Sequence, residues 1–178
     1  MALLHGLMAS LFPPMPEPVD ELRPGVLATV RGLVAPRDVV PSPLTGEPCV
    51  YYYYTVEEWR RSGVVTGVEG SWHLVDRDEA ILEFYLEQDG RRVLISPWRA
   101  RIDRGRGIRP RAVATGTADQ RAQQLLIAPG DQVEITGLVD EDADLFADDH
   151  LYRTHPARHV LRAPVGDHLQ IRLLARSS

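Results

Sequence analysis

The sequence predicts a mostly β fold: an antiparallel, barrel-like (OB-like) domain with one short internal helix and an N-terminal amphipathic helix. Short runs of β-forming residues recur along the chain between turn signals, as they do in barrels and sandwiches. Two of these runs contain an internal glycine, which suits the sharp bends of a small barrel. The 178 residues include 44% hydrophobic and 25% charged residues, the usual balance of a globular domain. We therefore expect a single β-rich domain over residues 25–175.

The first twelve residues predict an amphipathic helix, because apolar side chains recur there at helical spacing. Such a helix would dock on its own domain, on a second copy or on a membrane surface, and disorder is the remaining alternative. Pro13-Pro14 follows at once and no basic residue precedes the run, so a secretory signal is not expected. Further prolines predict an extended linker over residues 13–24. The helical apolar residues are Leu3, Leu4, Leu7, Met8, Leu11 and Phe12.

The strand candidates begin with two similar segments, residues 25–34 and 130–139, which both start with glycine and end in Gly-Leu-Val. An Asp-Gly pair at Asp89-Gly90 predicts a hairpin between neighbouring runs. One helix is expected over residues 118–127, because Thr117 and Gln120 fit a capping box and Pro129-Gly130 would end the helix. The other predicted strands are residues 50–59, 80–87, 92–96, 158–162 and 168–174.

Composition excludes several kinds of chemistry. All 20 basic residues are arginine, and the chain has neither lysine nor asparagine, which suggests a GC-rich, bacterial genome. A Schiff-base lysine, a P-loop lysine and an N-glycosylation site are therefore excluded. Cys49 is the single cysteine, so an internal disulfide and a cysteine zinc cluster are excluded as well. No apolar run is long enough to span a bilayer. We expect a cytoplasmic protein with no cofactor, and peripheral association with a membrane is the alternative.

The tyrosine run Tyr51, Tyr52, Tyr53 and Tyr54 lies in a predicted strand, where successive side chains alternate between the two faces. Two tyrosines should enter the core and two should face outward. The outward pair would form a stacking platform for bases or another flat ligand. The alternative is cross-strand packing with hydrated hydroxyl groups.

Six arginines crowd residues 99–111, and Arg104, Arg106 and Arg109 are the candidates for holding phosphate groups. The alternative is a solvated loop and strand edge in a chain whose only base is arginine. The net charge of −5 opposes nucleic-acid binding, because neutralisation of phosphates dominates that affinity. Nucleic acid is therefore an unfavoured partner.

Residues 140–149 are acidic, and their first half imitates a calcium-binding loop. The imitation ends at Leu145, where glycine is required, and at Leu151, where glutamate is required. His150, His155, His159 and Asp149 are weak candidates for a divalent metal site. Because Pro156 interrupts the spacing of the histidines, we expect no metal site and interpret the segment as an acidic loop.

The order of these motifs resembles the GIDE or "beside-a-membrane" domain of RING-type membrane ubiquitin ligases and of bacterial relatives. The similarity covers about residues 24–175. The stretches that resemble the family are Gly32-Leu33-Val34, Ser42-Pro43-Leu44-Thr45-Gly46, residues 48–52, 84–97, 129–140 and 160–171. The ligases also have transmembrane helices and a cysteine/histidine zinc domain, neither of which this chain contains.

The resemblance implies a β-rich regulatory or interaction module that works near a membrane or a membrane-bound partner. The resemblance assigns no catalytic residues to this chain, and ubiquitin-ligase activity is not expected of a chain without the zinc domain. We therefore expect a non-catalytic interaction or sensing module with a protein partner or a second copy as its target. Two alternatives stay open: an OB-like binder of single-stranded nucleic acid and a metal-dependent hydrolase.

Overall fold

The computed structural model describes residues 15–61, 70–103, 110–141 and 159–175. These residues are mostly β, as predicted, and contain a short 3-10 helix at Val19–Glu21 but no α-helix. In chain order the strands are β1 (Leu27–Pro36), β2 (Val40–Pro41), β3 (Pro48–Cys49), β4 (Tyr51–Arg61), β5 (Gly70–Ile81), β6 (Phe84–Gln88), β7 (Arg91–Ile95), β8 (Ala100–Asp103), β9 (Arg111–Val113), β10 (Gln120–Ile127), β11 (Gln132–Asp140), β12 (Val160–Arg162) and β13 (Leu169–Ala175).

Five strands close into a barrel in the order β1-β6-β7-β12-β11, with β11 pairing back to β1. The two similar segments found in the sequence, β1 and β11, pair with each other in antiparallel register from Leu27 opposite Leu138 to Leu33 opposite Gln132. The strands β7 and β12 are parallel, whereas the other barrel pairs are antiparallel. The predicted barrel-like fold is confirmed.

Two barrel strands are each interrupted by a turn and then continue. Strand β8 follows β7, β13 follows β12, and β8 and β13 again pair in parallel. The interruptions lie at the same level, because Ile95 faces Leu161 before the turns and Ala100 faces Leu169 after them. The two turns, residues 96–99 and 163–168, are therefore neighbours at one side of the barrel.

Glycines allow the barrel strands to approach one another closely. A Cβ atom at Gly32 would lie 2.5 Å from the carbonyl oxygen of Glu87 on β6. A Cβ atom at Gly137 would lie 2.9 Å from the carbonyl oxygen of Arg162 and would overlap the Leu169 side chain.

The hairpin between β6 and β7 turns at Asp89 and Gly90, whose φ angles of 50° and 75° suit the predicted Asp-Gly turn.

A second sheet of four antiparallel strands, in the order β5-β4-β10-β9, extends from the barrel. At its base, Tyr51, Tyr53, Leu125 and Ile127 pack into or against the barrel core. Beyond Tyr53, none of the described residues of β4 joins that core. We call this sheet the projecting sheet, because its far half lies past the barrel interior.

The predicted helix over residues 118–127 is wrong: Gln120–Ile127 form strand β10 of the projecting sheet. Residues 116–119 make a bend and a turn instead of a helical N-terminus, and the Thr115 hydroxyl donates to the Gln120 carbonyl at 2.6 Å. Strand β10 pairs with β4 on one side and with β9 on the other. Pairing along two edges overrides the modest helix propensity of this glutamine- and leucine-rich segment.

The described part of the predicted linker, residues 15–24, packs on the barrel. Val19 and Leu22 belong to the core, and the Val19 amide donates to the Gln88 side chain at 2.9 Å. The folded domain therefore begins before residue 25. The predicted helix over residues 1–12 lies outside the described residues. Among the described residues, no helix has the length and apolar character needed to cross a bilayer.

Candidate interaction site

The tyrosine run on β4 divides between the two faces of the projecting sheet, as strand alternation predicts. Tyr51 is buried at 1% exposure, and Tyr53 packs against the same core. Tyr52 and Tyr54 lie on the opposite face, where their ring centroids are 6.3 Å apart. Tyr52 and Tyr54 are thus the predicted outward pair of tyrosines. Their hydroxyl groups donate hydrogen bonds to side chains of the protein.

Each of three tyrosine hydroxyl groups donates a hydrogen bond to a carboxylate of the neighbouring strand β5. Tyr52 donates to Asp78 and Tyr54 donates to Asp76, both at 2.9 Å. Tyr51 donates to Glu79 at 2.8 Å. We call these three pairs the tyrosine–carboxylate ladder. The ladder fixes the positions of three exposed acidic side chains along one strand, which isolated surface carboxylates would not achieve.

The ladder changes the titration of its outward tyrosines. The hydrogen bond to Asp78, followed by desolvation and by the charge of Asp78, raises the pKa of Tyr52. The hydrogen bond to Asp76 is likewise the first cause that raises the pKa of Tyr54. A tyrosine with a raised pKa keeps its proton and remains a donor. Tyr52 and Tyr54 therefore remain donors to Asp78 and Asp76 on an exposed surface.

Strand β5 lies at the edge of the projecting sheet, and among the described residues it pairs only with β4. The register between the two strands shifts at Val56/Glu57, and the irregularity leaves Val75 without an opposite residue. Leu74 and Val75 are 51% and 44% exposed. An edge strand with exposed apolar side chains is a common site for adding a further strand.

The far end of the projecting sheet carries an aromatic and basic cluster. The rings of Trp59 and Trp72 meet edge to face with centroids 5.4 Å apart, and the Arg121 guanidinium lies 4.5 Å from the Trp72 ring. Arg121 also forms an ion pair with Glu57 on β4. A Cβ atom at Gly70 would lie 2.6 Å from the Trp59 ring, so glycine is needed there. These contacts stiffen the sheet far from the barrel core.

The turn between β2 and β3 covers the inner strands of the projecting sheet. Gln124 of β10 is 2% exposed, accepts from the Ser42 hydroxyl at 2.7 Å and donates to the Thr45 hydroxyl at 2.9 Å. Cys49 is buried, and burial, followed by the charge of Glu47, raises the pKa of its thiol. The segment that carries much of the family resemblance therefore anchors the projecting sheet.

Several predicted site residues lie outside the described residues. They are Arg104, Arg106, Arg109, Leu4, Leu7, Met8, Leu11, Phe12, Asp149, His150 and His155.

His159 is described, and its carbonyl oxygen accepts from the Leu94 amide at 3.0 Å. Its Nδ1 atom is buried and has no hydrogen-bond partner in the described part of the chain. Within residues 15–61, 70–103, 110–141 and 159–175, no group of three or more histidine, cysteine or acidic side chains could hold a metal ion. The structure therefore brings His159 to the barrel but assembles no metal centre from the described residues.

The acidic half of the ladder was not predicted from the sequence. Asp76, Asp78 and Glu79 belong to no motif, and the predicted strand began only at residue 80. One feature of the sequence does indicate this strand. Segments long enough to form strands lie on both sides of the glycine-containing stretch 63–70, as in a long hairpin. A hairpin in that position places Asp76 and Asp78 beside the tyrosines of β4.

A second cluster, separate from the main core, lies on the barrel itself. Tyr85 on β6 faces Leu94 on β7, which in turn faces Val160 on β12. The Arg92 guanidinium lies 5.8 Å from the Tyr85 ring centroid and 3.2 Å from the Glu87 carboxylate. This cluster combines an aromatic ring, a cation and two buried apolar side chains on three neighbouring barrel strands.

Comparison with known proteins gives no match. No family model fits the chain, and no curated protein or solved structure is significantly similar to it. The interpretation of the site therefore depends on its geometry.

Proposed function

We propose that the protein is a non-catalytic interaction module that binds a partner protein through the projecting sheet, close to a membrane. The observation that carries this proposal is strand β5, a twelve-residue strand at the edge of the projecting sheet. Among the described residues, β5 pairs with β4 alone. Its exposed carboxylates are held in place by the tyrosine–carboxylate ladder. Backbone hydrogen bonds along such an edge provide affinity for a protein ligand, and the ordered charges beside it set the register.

The test is site-specific photo-cross-linking in living cells. A photoreactive amino acid replaces Leu74 on β5 in one strain and Leu33 on the barrel in another. The two leucines form a matched pair, because each is 51% exposed. We expect a discrete adduct with one protein from position 74 and none from position 33. The same adducts from both positions, or none from position 74, would contradict the proposal.

The membrane part of the proposal is supported by the family resemblance and by an exposed apolar surface. Trp98 and Val165, which lie on the two neighbouring turns of the barrel, are 79% and 100% exposed. Tryptophan favours the membrane–water interface. Liposome flotation of the full chain should therefore exceed that of a Trp98→Ala variant or of a chain that begins at Met15, which keeps the core residues Val19 and Leu22. Equal recovery of all three proteins would remove the membrane from the proposal.

A second candidate function is binding of single-stranded nucleic acid at the barrel. The order β1-β6-β7-β12-β11, with its one parallel pair, supports a likeness to OB-type barrels, which bind oligonucleotides on their second and third strands. Tyr85 and Arg92 occupy those strands here. Binding of an oligonucleotide at low salt that is lost in Tyr85→Ala and Arg92→Ala would support this function. Absence of binding at low salt would remove it.

A further inference from the structure

The backbone of strand β5 offers hydrogen-bonding groups on its outer edge. The Leu82 amide donates to the Val50 carbonyl at 2.8 Å, on the side of β4. Because backbone groups alternate between the two edges of an antiparallel strand, Arg77 and Glu79 direct theirs to the outer edge. No strand among the described residues pairs with that edge. An added strand would find its partners there.

The charges along this edge define the strand that fits it. Residues 76–79 read Asp-Arg-Asp-Glu, and all four side chains are exposed. In an antiparallel pairing, opposite residues share a face, and opposite charges attract while like charges repel. The complementary strand therefore has basic residues opposite Glu79, Asp78 and Asp76 and an apolar residue opposite Arg77. Its pattern is basic-basic-apolar-basic.

Asp78 adds selectivity, because its carboxylate occupies part of the edge. One of its oxygens accepts from the Glu79 amide at 2.8 Å, and the other accepts from Tyr52. The Glu79 amide is one of the donors that an added strand needs. A cation opposite Asp78 draws the carboxylate toward itself and releases that amide, whereas a neutral strand leaves the amide occupied. The edge thus favours basic strands over neutral ones.

We propose that strand β5 binds an extended, basic segment of a partner protein as an added antiparallel strand. This inference rests on the proposed interaction function and names the chemistry of the partner. Side chains of the partner approach the rings of Tyr52 and Tyr54, which attract cations from the same face as Asp76 and Asp78. Affinity comes from backbone hydrogen bonds, and the tyrosine–carboxylate ladder sets the register.

A second copy of this chain fits the same edge poorly. Two identical antiparallel strands related by a two-fold axis place the central residue opposite its own copy. Any register centred on residues 76–79 therefore puts Asp opposite Asp, Arg opposite Arg or Glu opposite Glu. Like charges directly opposite each other destabilise a strand pair. Complementary charge on a different protein avoids this repulsion.

The first test measures binding of a short fluorescent peptide with the pattern arginine-lysine-valine-arginine to the full-length protein by anisotropy. The double variant Asp76→Asn and Asp78→Asn should bind it about tenfold more weakly, which equals about 1.4 kcal/mol. The matched control is Asp38→Asn with Asp167→Asn, which removes the same charge. Asp167 is exposed and also accepts the amide of the next residue, at 2.7 Å. Equal losses in both double variants would overturn the proposal.

The second test separates strand addition from simple attraction between charges. Arg77→Ala removes a cation from the edge and should tighten peptide binding. Arg77→Pro removes the same cation and also the outward N–H, so it should weaken binding, and proline is tolerated at such edge positions. Tighter binding by both variants would overturn strand addition. If Arg77→Pro does not fold, methylation of alternate peptide amides applies the same test to the wild-type protein.

The outcomes also separate this inference from the proposed function. An adduct from position 74 in cells, combined with no peptide binding at low salt, would refute the basic strand and leave the interaction module standing. Loss of the adduct would refute the interaction module itself. A concentration-dependent dimer that disappears in Arg77→Pro would overturn the assignment to a different protein, because the occupant would then be a second copy.

Discussion

Replacing Gln124 by alanine should lower the free energy of unfolding by about 2–4 kcal/mol. The wild-type side chain makes two hydrogen bonds, with Ser42 at 2.7 Å and with Thr45 at 2.9 Å. Each such bond contributes about 0.5–1.5 kcal/mol, and a buried hydroxyl left without its acceptor costs about 1–3 kcal/mol. Ser42 is 3% exposed, so water does not readily replace the lost acceptor. These terms together give the expected range.

Urea denaturation followed by tryptophan fluorescence measures this change, provided that the m-value stays constant. A double variant, Gln124→Leu with Ser42→Ala, serves as the control because it removes the buried acceptor together with its buried donor. Its stability should return to within about 1 kcal/mol of the wild type, since the remaining partner, Thr45, is only half-buried and can bind water instead. A loss under about 0.5 kcal/mol for Gln124→Ala, or additive losses across the cycle, would refute the reasoning.

Three further predictions concern the barrel, the ladder and the buried thiol. Gly137→Ala should destabilise the protein by more than about 2 kcal/mol in the same assay, because its Cβ would overlap neighbouring atoms of the barrel; an unchanged midpoint would be inconsistent with that close approach. Spectroscopic titration should show Tyr52 and Tyr54 ionising above their ordinary pKa of about 10, and Asp78→Asn should lower the Tyr52 midpoint. Since a raised pKa favours the protonated form, the stability from these bonds is present below about pH 10 and is lost as pH rises through the raised values. The Cys49 thiol should react with a disulfide reagent only as the protein unfolds; fast labelling under native conditions would contradict its burial.

The elements that could be predicted from the sequence depend on local signals. The turn at Asp89 and Gly90 needs positive φ angles, and these residue types accept them at low cost. The opposite faces of Tyr52 and Tyr53 follow from strand alternation alone. The strand character of the two glycine-containing segments follows from the hydrophobic pattern within each segment. In each case the determining residues lie close together in sequence.

The remaining elements depend on contacts between distant residues. Strand β10 is not helical because β4, more than sixty residues earlier in the chain, pairs with it along its whole length. Strand β5 has an exposed, polar pattern with no clear alternation, so its existence follows from β4 rather than from its own residues. The roles of Asp76 and Asp78 depend in turn on that pairing. Such contacts cannot be derived from local propensity.

The segment Ser42-Pro43-Leu44-Thr45-Gly46 has a structural role. Its hydroxyl groups bind Gln124, and its turn lies against the projecting sheet. The residues that carry the family resemblance therefore stabilise the platform on which the ladder stands. The carboxylates of the ladder lie on β5, outside the stretches that resemble the family, whereas Tyr51 and Tyr52 lie within one of those stretches.

Amide hydrogen exchange of β5 tests the central claim most directly. The Arg77 amide faces the outer edge and should exchange rapidly in the free protein, whereas the Asp78 amide faces β4 and should be protected already. Saturation with the basic peptide should slow exchange at Arg77 and leave the barrel amide of Arg92 unchanged. Unchanged exchange at Arg77, or new protection at Arg92 instead, would contradict the claim that the protein acts through the edge of its projecting sheet.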